Sequence, residues 1–245
     1  QYIGDTSVAE LKTFIALLYI RGIYGGKSIH LESFWSEKYG VNFFPQAMAR
    51  NHFREIMGYL RFDDKGTRGT RMETDKFAMT SEVWNAFVQN CIACYKPGEN
   101  ITVDEQLYPT KARCHFTHYR KYLSSKPDKF GIKLWLAVDV ETKYMVNGFP
   151  FLGKDESQQS GEQWSENVVL KLVEPYLNKG RNVTTDNFFT SLSLANQLVA
   201  KNTSLVGTMN RARWELPPSA KDQGPAELYC AKVMRSNRAT LSLQV

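Results

Sequence analysis

With 245 residues, 42% hydrophobic and 13% aromatic, the chain has apolar material for one large domain or two small ones, which excludes a disordered polypeptide. Lys and Arg outnumber Asp and Glu 31 to 25, a formal charge of +6 that is compatible with nucleic acid without establishing it. No apolar run is long enough to cross a bilayer, since the most hydrophobic segment, LKTFIALLYIRGIYGG, is interrupted by Arg21 and Gly22 and reads as a buried helix. The sequence opens on Gln1 and closes on Val245 within a strand-like run, so it is expected to be a piece of a longer protein.

The first 98 residues are expected to form a helical region. Ser7-Val-Ala-Glu10 has the form of a capping box, opening a helix that runs to about Tyr24 and stops at Gly25-Gly26. PQAMARNHFREIMGYLRF is a second amphipathic helix with Met48, Phe53, Ile56, Met57 and Leu60 near one face. DDKGTRGTRMETDK reads as a mobile polar loop, and TSEVWNAFVQNCIACY as a third helix ended by Pro97-Gly98.

After Gly98 the pattern changes to strands. ITVDEQ, GIKLWLAVDV and YMVNGFPFLG are three strands, the last two joined tightly through Glu141-Thr142-Lys143. SENVVLKLVEPYL reads as a helix that Pro175 ends or kinks, followed by the strand NVTTDN, the helix TSLSLANQLVAKN and the strand TSLVGTM. A meander followed by a helical crossover gives a mixed sheet whose fourth strand can return parallel to the first. If those two strands are neighbours, Asp104 and Asp186, each just past a β-branched run, face the same small volume.

Two adjacent carboxylates repel unless one holds a proton or a cation intervenes. A divalent metal such as Mg²⁺ resolves the repulsion and accepts phosphate oxygens in its remaining positions. Two other readings stand beside this one. Either Asp can cap backbone N–H groups, a strong alternative for Asp186 just before NFFTSL, and the pair could be the acid and base of a glycosidase. The basic cluster Lys111, Arg113, Arg120, Lys121, Lys126, Lys129 and Lys133 favours a polyphosphate substrate over a sugar. Within it Lys126, Lys129 and Lys133, with Arg211 and Arg213 beyond the last strand, are candidate DNA-phosphate contacts, against the plainer reading as solvated surface charges. Tyr108, Trp135 and Phe188 are stacking candidates whose ordinary fate is packing.

Cys91 and Cys94 have metal-ligand spacing, and Cys114, His115 and His118 could complete a zinc site. The helical periodicity around Cys91 makes core packing the simpler account, and four cysteines without a disulfide-scaffold pattern point to a reducing compartment.

The stretches ITVDEQLYPTKARCHFTHY, SKPDKFGIKLWLAVDV, NVTTDNFFTSLSLANQL and SLVGTMNRARWELPP, with LRFDD before them, resemble the piggyBac-type DDE transposases over nearly the whole chain. The resemblance implies an α/β, RNase H-like mixed sheet over residues 99–245, flanked by helices and preceded by the all-helical region 1–98. It implies Mg²⁺-dependent cut-and-paste DNA transposition, commonly at TTAA targets, in the nucleus, with transposon-end DNA as partner and a homodimer as a further expectation. Asp104 in VDEQ and Asp186 in TTDNFFTS match the family's first two catalytic aspartates and metal ligands. The third lies further downstream in the family. Glu215, Asp222 and Glu227 do not sit in its context, so the triad is incomplete in this chain. Ala112 replaces a frequent glycine, and the stretch RKYLS at 120–124 lengthens a spacing that reads as a loop insertion. The alternative is a catalytically inactive, transposon-derived DNA-binding protein.

Overall fold

The computed structural model describes residues 5–26, 28–109, 120–122, 130–153, 162–210, 213–216, 231–235 and 240–244. They fall into two compact units, 1–64 and 65–245, so the helical region expected over 1–98 is shared between both.

The first unit is helical. Helix α1 (Val8–Ile23) starts at the capping box read from the sequence, with Ser7 Oγ accepting from Glu10 N at 3.2 Å and Glu10 Oε2 accepting from Ser7 N at 2.8 Å. A short 3₁₀ helix at Leu31–Trp35 follows, then α2 (Phe43–Ala47) and α3 (Arg50–Tyr59). The single helix expected over 45–62 is therefore broken at Met48, whose backbone is extended at φ −160° and ψ 140°. The break has a tertiary cause. Met48 is buried beside Phe14, Phe34, Phe44 and Phe53, and its carbonyl accepts the indole N–H of Trp35 at 2.8 Å. Burial of a side chain outweighs the few tenths of a kcal/mol per residue that propensity contributes, roughly 0–0.7 for ordinary residues.

In the second unit α4 (Arg68–Thr74) occupies part of the stretch expected to be a mobile polar loop, so that expectation is corrected. Arg71 explains the order: its Nη1 donates to the Ala78 carbonyl at 2.7 Å and ties the helix to the turn before α5 (Ser81–Cys94). Next come β1 (Asn100–Pro109), β2 (Arg120–Tyr122), β3 (Phe130–Asp139) and β4 (Met145–Pro150). Helix α6 (Glu162–Val173) runs into a 3₁₀ turn at Pro175, as the proline requires, and β5 (Asn182–Thr185), α7 (Leu192–Val199) and β6 (Ser204–Gly207) complete the alternation. Strand β2 falls in the stretch read as a loop insertion, pairing with the start of β3.

These six strands form one mixed sheet in the order β2-β3-β1-β5-β6, with β4 on the same edge of β3 as β2. β1 is antiparallel to β3 and parallel to β5, which is in turn parallel to β6. The fold class read from the sequence holds: a mixed sheet flanked by helices, with a helical region before it. Because strand side chains alternate, Ile101 and Val103 of β1, Trp135 and Ala137 of β3 and Val183 of β5 share one face and pack with Val169, Leu172, Leu194 and Leu198 of α6 and α7. The other face meets α5: a Cβ on Gly148 would lie 2.7 Å from Leu136 and 3.5 Å from Trp84. A separate hairpin, β7 (Ala231–Arg235) with β8 (Thr240–Gln244), lies further along the chain.

Candidate active site

The site is built where β1 and β5 run side by side. Their register pairs Ile101 with Val183, Thr102 with Thr184 and Val103 with Thr185. The next residue in each case is an aspartate, Asp104 within β1 and Asp186 just past the end of β5, and alternation places Asp104 on the sheet face opposite Val103. Both are solvent-exposed while Ile101, Val103, Val183 and Thr185 behind them are buried, so the strands are anchored and the carboxylates accessible.

Asp186 is also held by its own turn. Its Oδ1 accepts from Phe188 N at 3.0 Å, and its carbonyl accepts Thr190 N at 3.1 Å and Thr190 Oγ1 at 2.7 Å. The Thr190 hydroxyl also lies 2.7 Å from that of Thr185, closing the turn onto the end of β5. Asp186 does not cap α7. Ser191 does, accepting Leu194 N at 2.9 Å, and the carboxylate of Glu215 accepts Leu192 N at 3.2 Å and Ser193 N at 3.1 Å. Glu215 is thus committed to a helix N-terminus, in accord with its lack of a catalytic context in the sequence.

The charge of Asp104 reaches the Asp186 carboxyl. The Asp186 carboxyl is pushed above the ordinary carboxylate range, first by desolvation and then by the charges of Asp104 and Glu105, while the N–H groups of Phe188 and Phe189 pull it back down. Asp104 has a hydrogen bond from Glu105 N at 2.7 Å, which leaves most of its lone-pair capacity open. Two hard oxygen donors that repel are a fitting half of a site for Mg²⁺, whose remaining positions go to water and phosphate. Among the described residues, no three His, Cys, Asp or Glu side chains gather closely enough to hold a metal ion.

The expected DNA contacts are placed unevenly. Lys133 is turned inward: its Nζ lies 3.2 Å from Glu105 Oε2 and 3.9 Å from the centroid of the Trp135 ring. Arg213 is buried, with Nη2 donating to the Phe188 carbonyl at 3.1 Å. Neither presents a free charge to solvent in this structure. Lys126, Lys129 and Arg211 lie outside the described residues, as do Cys114, His115, His118, Asp222 and Glu227. Of the two cysteines on α5, Cys91 is buried and Cys94 exposed. Trp135 is a core residue, Phe188 is half-exposed and stacks on it at 5.9 Å and 10°, and Tyr108 is exposed on β1. Sequence reasoning passed over Glu105, although it sits inside the VDEQ motif. The signal was available: a third carboxylate beside Asp104, one strand away from Lys133.

A β1–β5 parallel pair with an aspartate directly after the paired stretch of each strand, in a mixed sheet covered by helices, defines a DDE transposase-type fold. A model of the Transposase IS4 family matches residues 2–240, and the chain belongs to that family. The piggyBac resemblance is equally plain. The human PiggyBac transposable element-derived protein 3 is 24% identical over 230 residues, covering 90% of this chain and 37% of that protein. The human chimeric ERCC6-PGBD3 protein is also 24% identical over 230 residues, covering 90% of this chain and 20% of its own length. The cryo-EM structure of the piggyBac transposase synaptic complex with hairpin DNA matches with a TM-score of 0.89 and 30% identity, over 98% of this chain and 49% of that one. The chain spans about a third of the first human relative and about half of the solved transposase.

Proposed function

We propose that this chain supplies two of the metal-binding carboxylates of a piggyBac-like transposase, Asp104 and Asp186, and with them most of the scaffold for DNA strand cleavage and transfer. The observation that carries this reading is the β1–β5 register, which ends at Val103 and Thr185 and so sets the exposed Asp104 and Asp186 directly after paired residues of neighbouring strands. The solved relative is a transposase complex with hairpin DNA, which supports DNA as the substrate here; transposon ends and a TTAA target belong to the same proposal. A homodimer and a nuclear setting belong to the same reading.

In this arrangement Asp104 and Asp186 would hold Mg²⁺, which would supply charge neutralisation at the scissile phosphate and activate water. The protein's own contribution is placement. Parallel pairing fixes the Cα positions of both acids, and the Phe188 N–H orients the Asp186 carboxylate. The sequence carries two of the family's three acids in their matching motifs, and on that reading this chain alone is expected to bind Mg²⁺ weakly and to cut little or no DNA. Lys126, Lys129 and Arg211 stay candidate phosphate contacts, salt-sensitive and blind to sequence.

The test is Mn²⁺-induced broadening of amide resonances in the 245-residue chain. Broadening centred on residues 103–105 and 185–187, lost in Asp104→Ala, is the expected result. Metal binding elsewhere, or binding indifferent to Asp104→Ala, would overturn the site. Metal-dependent cleavage by this chain alone, abolished by Asp104→Ala, would show instead that the two acids suffice.

A further inference from the structure

Lys133 and Glu105 were placed on β3 and β1 by the antiparallel register that pairs Glu105 with Trp135 and Leu107 with Lys133. Their side chains share the core-side face with Trp135. The ion pair is 3.2 Å long, with side-chain exposures of 13% and 20%, so it is well shielded compared with an open surface pair. The ammonium also lies 3.9 Å from the Trp135 ring centroid and 5.6 Å from that of Phe188. The two rings are nearly parallel, at 10°. A shielded cation beside two aromatic faces attracts both, and the attraction is worth most where water is excluded.

The far ring belongs to the turn that orients Asp186. Phe188 donates its N–H to Asp186 Oδ1 at 3.0 Å and offers its carbonyl to Arg213 Nη2 at 3.1 Å. A continuous path of contacts therefore runs from Glu105 through Lys133 and the Trp135–Phe188 stack to the carboxylate of Asp186. The path starts one residue from Asp104 and ends on Asp186, so it couples the neighbourhoods of the two acids through side chains as well as through backbone pairing.

We propose that Lys133 and Glu105 are positioning residues for the acid pair: their ion pair seats the ammonium on the Trp135–Phe188 stack and thereby holds the Asp186 turn in a metal-ready geometry. The inference rests on the metal-site reading of Asp104 and Asp186. It gives Lys133 a role different from direct phosphate contact, and it gives the glutamate of VDEQ a role that is not ligation. Glu105 keeps Lys133 in place, and Lys133 keeps the Glu105 carboxylate turned away from the metal position.

The informative variant is Glu105→Gln with Lys133→Met, because it removes both charges and leaves the net charge near the metal unchanged. Three measurements on the 245-residue chain separate the roles: Mn²⁺ affinity from amide broadening, hydrogen exchange of the Phe188 amide, and the thermal midpoint. The expected result is Mn²⁺ binding weaker by about tenfold, the lower end of what outer-shell partners are worth to a metal site, together with faster exchange at Phe188. Lys133→Arg, which keeps a cation able to pair and to stack, recovers most of both effects. Glu105→Gln alone gives a smaller change of the same sign and serves if the double variant does not fold. A lowered midpoint with wild-type Mn²⁺ affinity and wild-type exchange at Phe188 would overturn the proposal, leaving the pair a packing element. Wild-type Mn²⁺ binding in Asp104→Ala would instead overturn the metal-site reading, and the Phe188 exchange rate would then still decide whether the brace exists.

Discussion

The two ends of the β1–β5 pairing treat a carboxylate in opposite ways. Where β1 and β5 begin, Asp139 at the end of β3 lies opposite Ile101, almost fully buried and saturated with donors: Gly98 N at 2.7 Å on one oxygen, Glu141 N at 2.9 Å and Thr142 N at 2.8 Å on the other. Beside it Arg181 donates to the carbonyls of Gly98 and Pro97 at 2.9 Å and 3.0 Å. Where their pairing ends, Asp104 and Asp186 are exposed and sparsely bonded, and the charge of Asp104 reaches the Asp186 carboxyl. The N–H groups of Thr142 and Gly98 hold Asp139 below the usual carboxylate range, against its burial, whereas desolvation and neighbouring charge hold Asp186 above it. A satisfied carboxylate fastens a turn. An unsatisfied pair is poised to take a cation, and its repulsion is the stability cost of that readiness.

The comparison can be broken at either end. The largest effect is expected from Asp139→Ala, which strips the partner from three backbone N–H groups and should cost about 3 kcal/mol in urea unfolding, the upper range for hydrogen bonds to a charged group. A loss under a third of that would mean the turn is held by its strands instead. Next, Glu215→Ala removes a carboxylate from the first turn of α7 and should cost about 1 kcal/mol, measured the same way. Asp186→Asn should act with the opposite sign, raising stability by roughly 0.5 kcal/mol once solvent screening at an exposed position is allowed for, while Mn²⁺ binding at the pair is lost. Destabilisation by this substitution would place Asp186 with Asp139 as a structural group.

The pH dependence sharpens the contrast. Asp139 has a depressed pKa in the fold, so its stabilisation is complete above the unfolded value and is lost as pH falls through the folded one. Asp186 has a raised pKa, so folding is favoured most below the unfolded value, and that advantage is lost as pH rises through the folded one. Unfolding midpoints of wild type and the two variants between about pH 7 and about pH 3 should therefore converge from opposite sides. Curves that run parallel across this range would remove the electrostatic explanation for both ends.

Much of this was legible in the chain itself. Ser7 and Glu10 announced the start of α1, Pro175 the end of α6, and the two β-branched runs before Asp104 and Asp186 announced the strands that carry them. These are local signals, set by capping, by the fixed φ of proline and by alternation, which any few consecutive residues can express. The break at Met48 was not legible, because its cause is the indole of Trp35, thirteen residues away. Neither was α4, fastened by Arg71 to the Ala78 carbonyl, nor the three-residue strand β2, which exists through its pairing with β3.

The same division runs through the site. The sequence by itself determined which acids follow the two β-branched runs, because residue type and period are written in it. Only the tertiary structure decided that Lys133 and Arg213, read as phosphate contacts, turn inward to Glu105 and to the Phe188 carbonyl. A charge in sequence has no direction. Its side chain takes one when pairing across β1 and β3 brings a carboxylate and two aromatic faces within its reach, contacts that cross 28 residues of chain for Glu105 and 55 for Phe188.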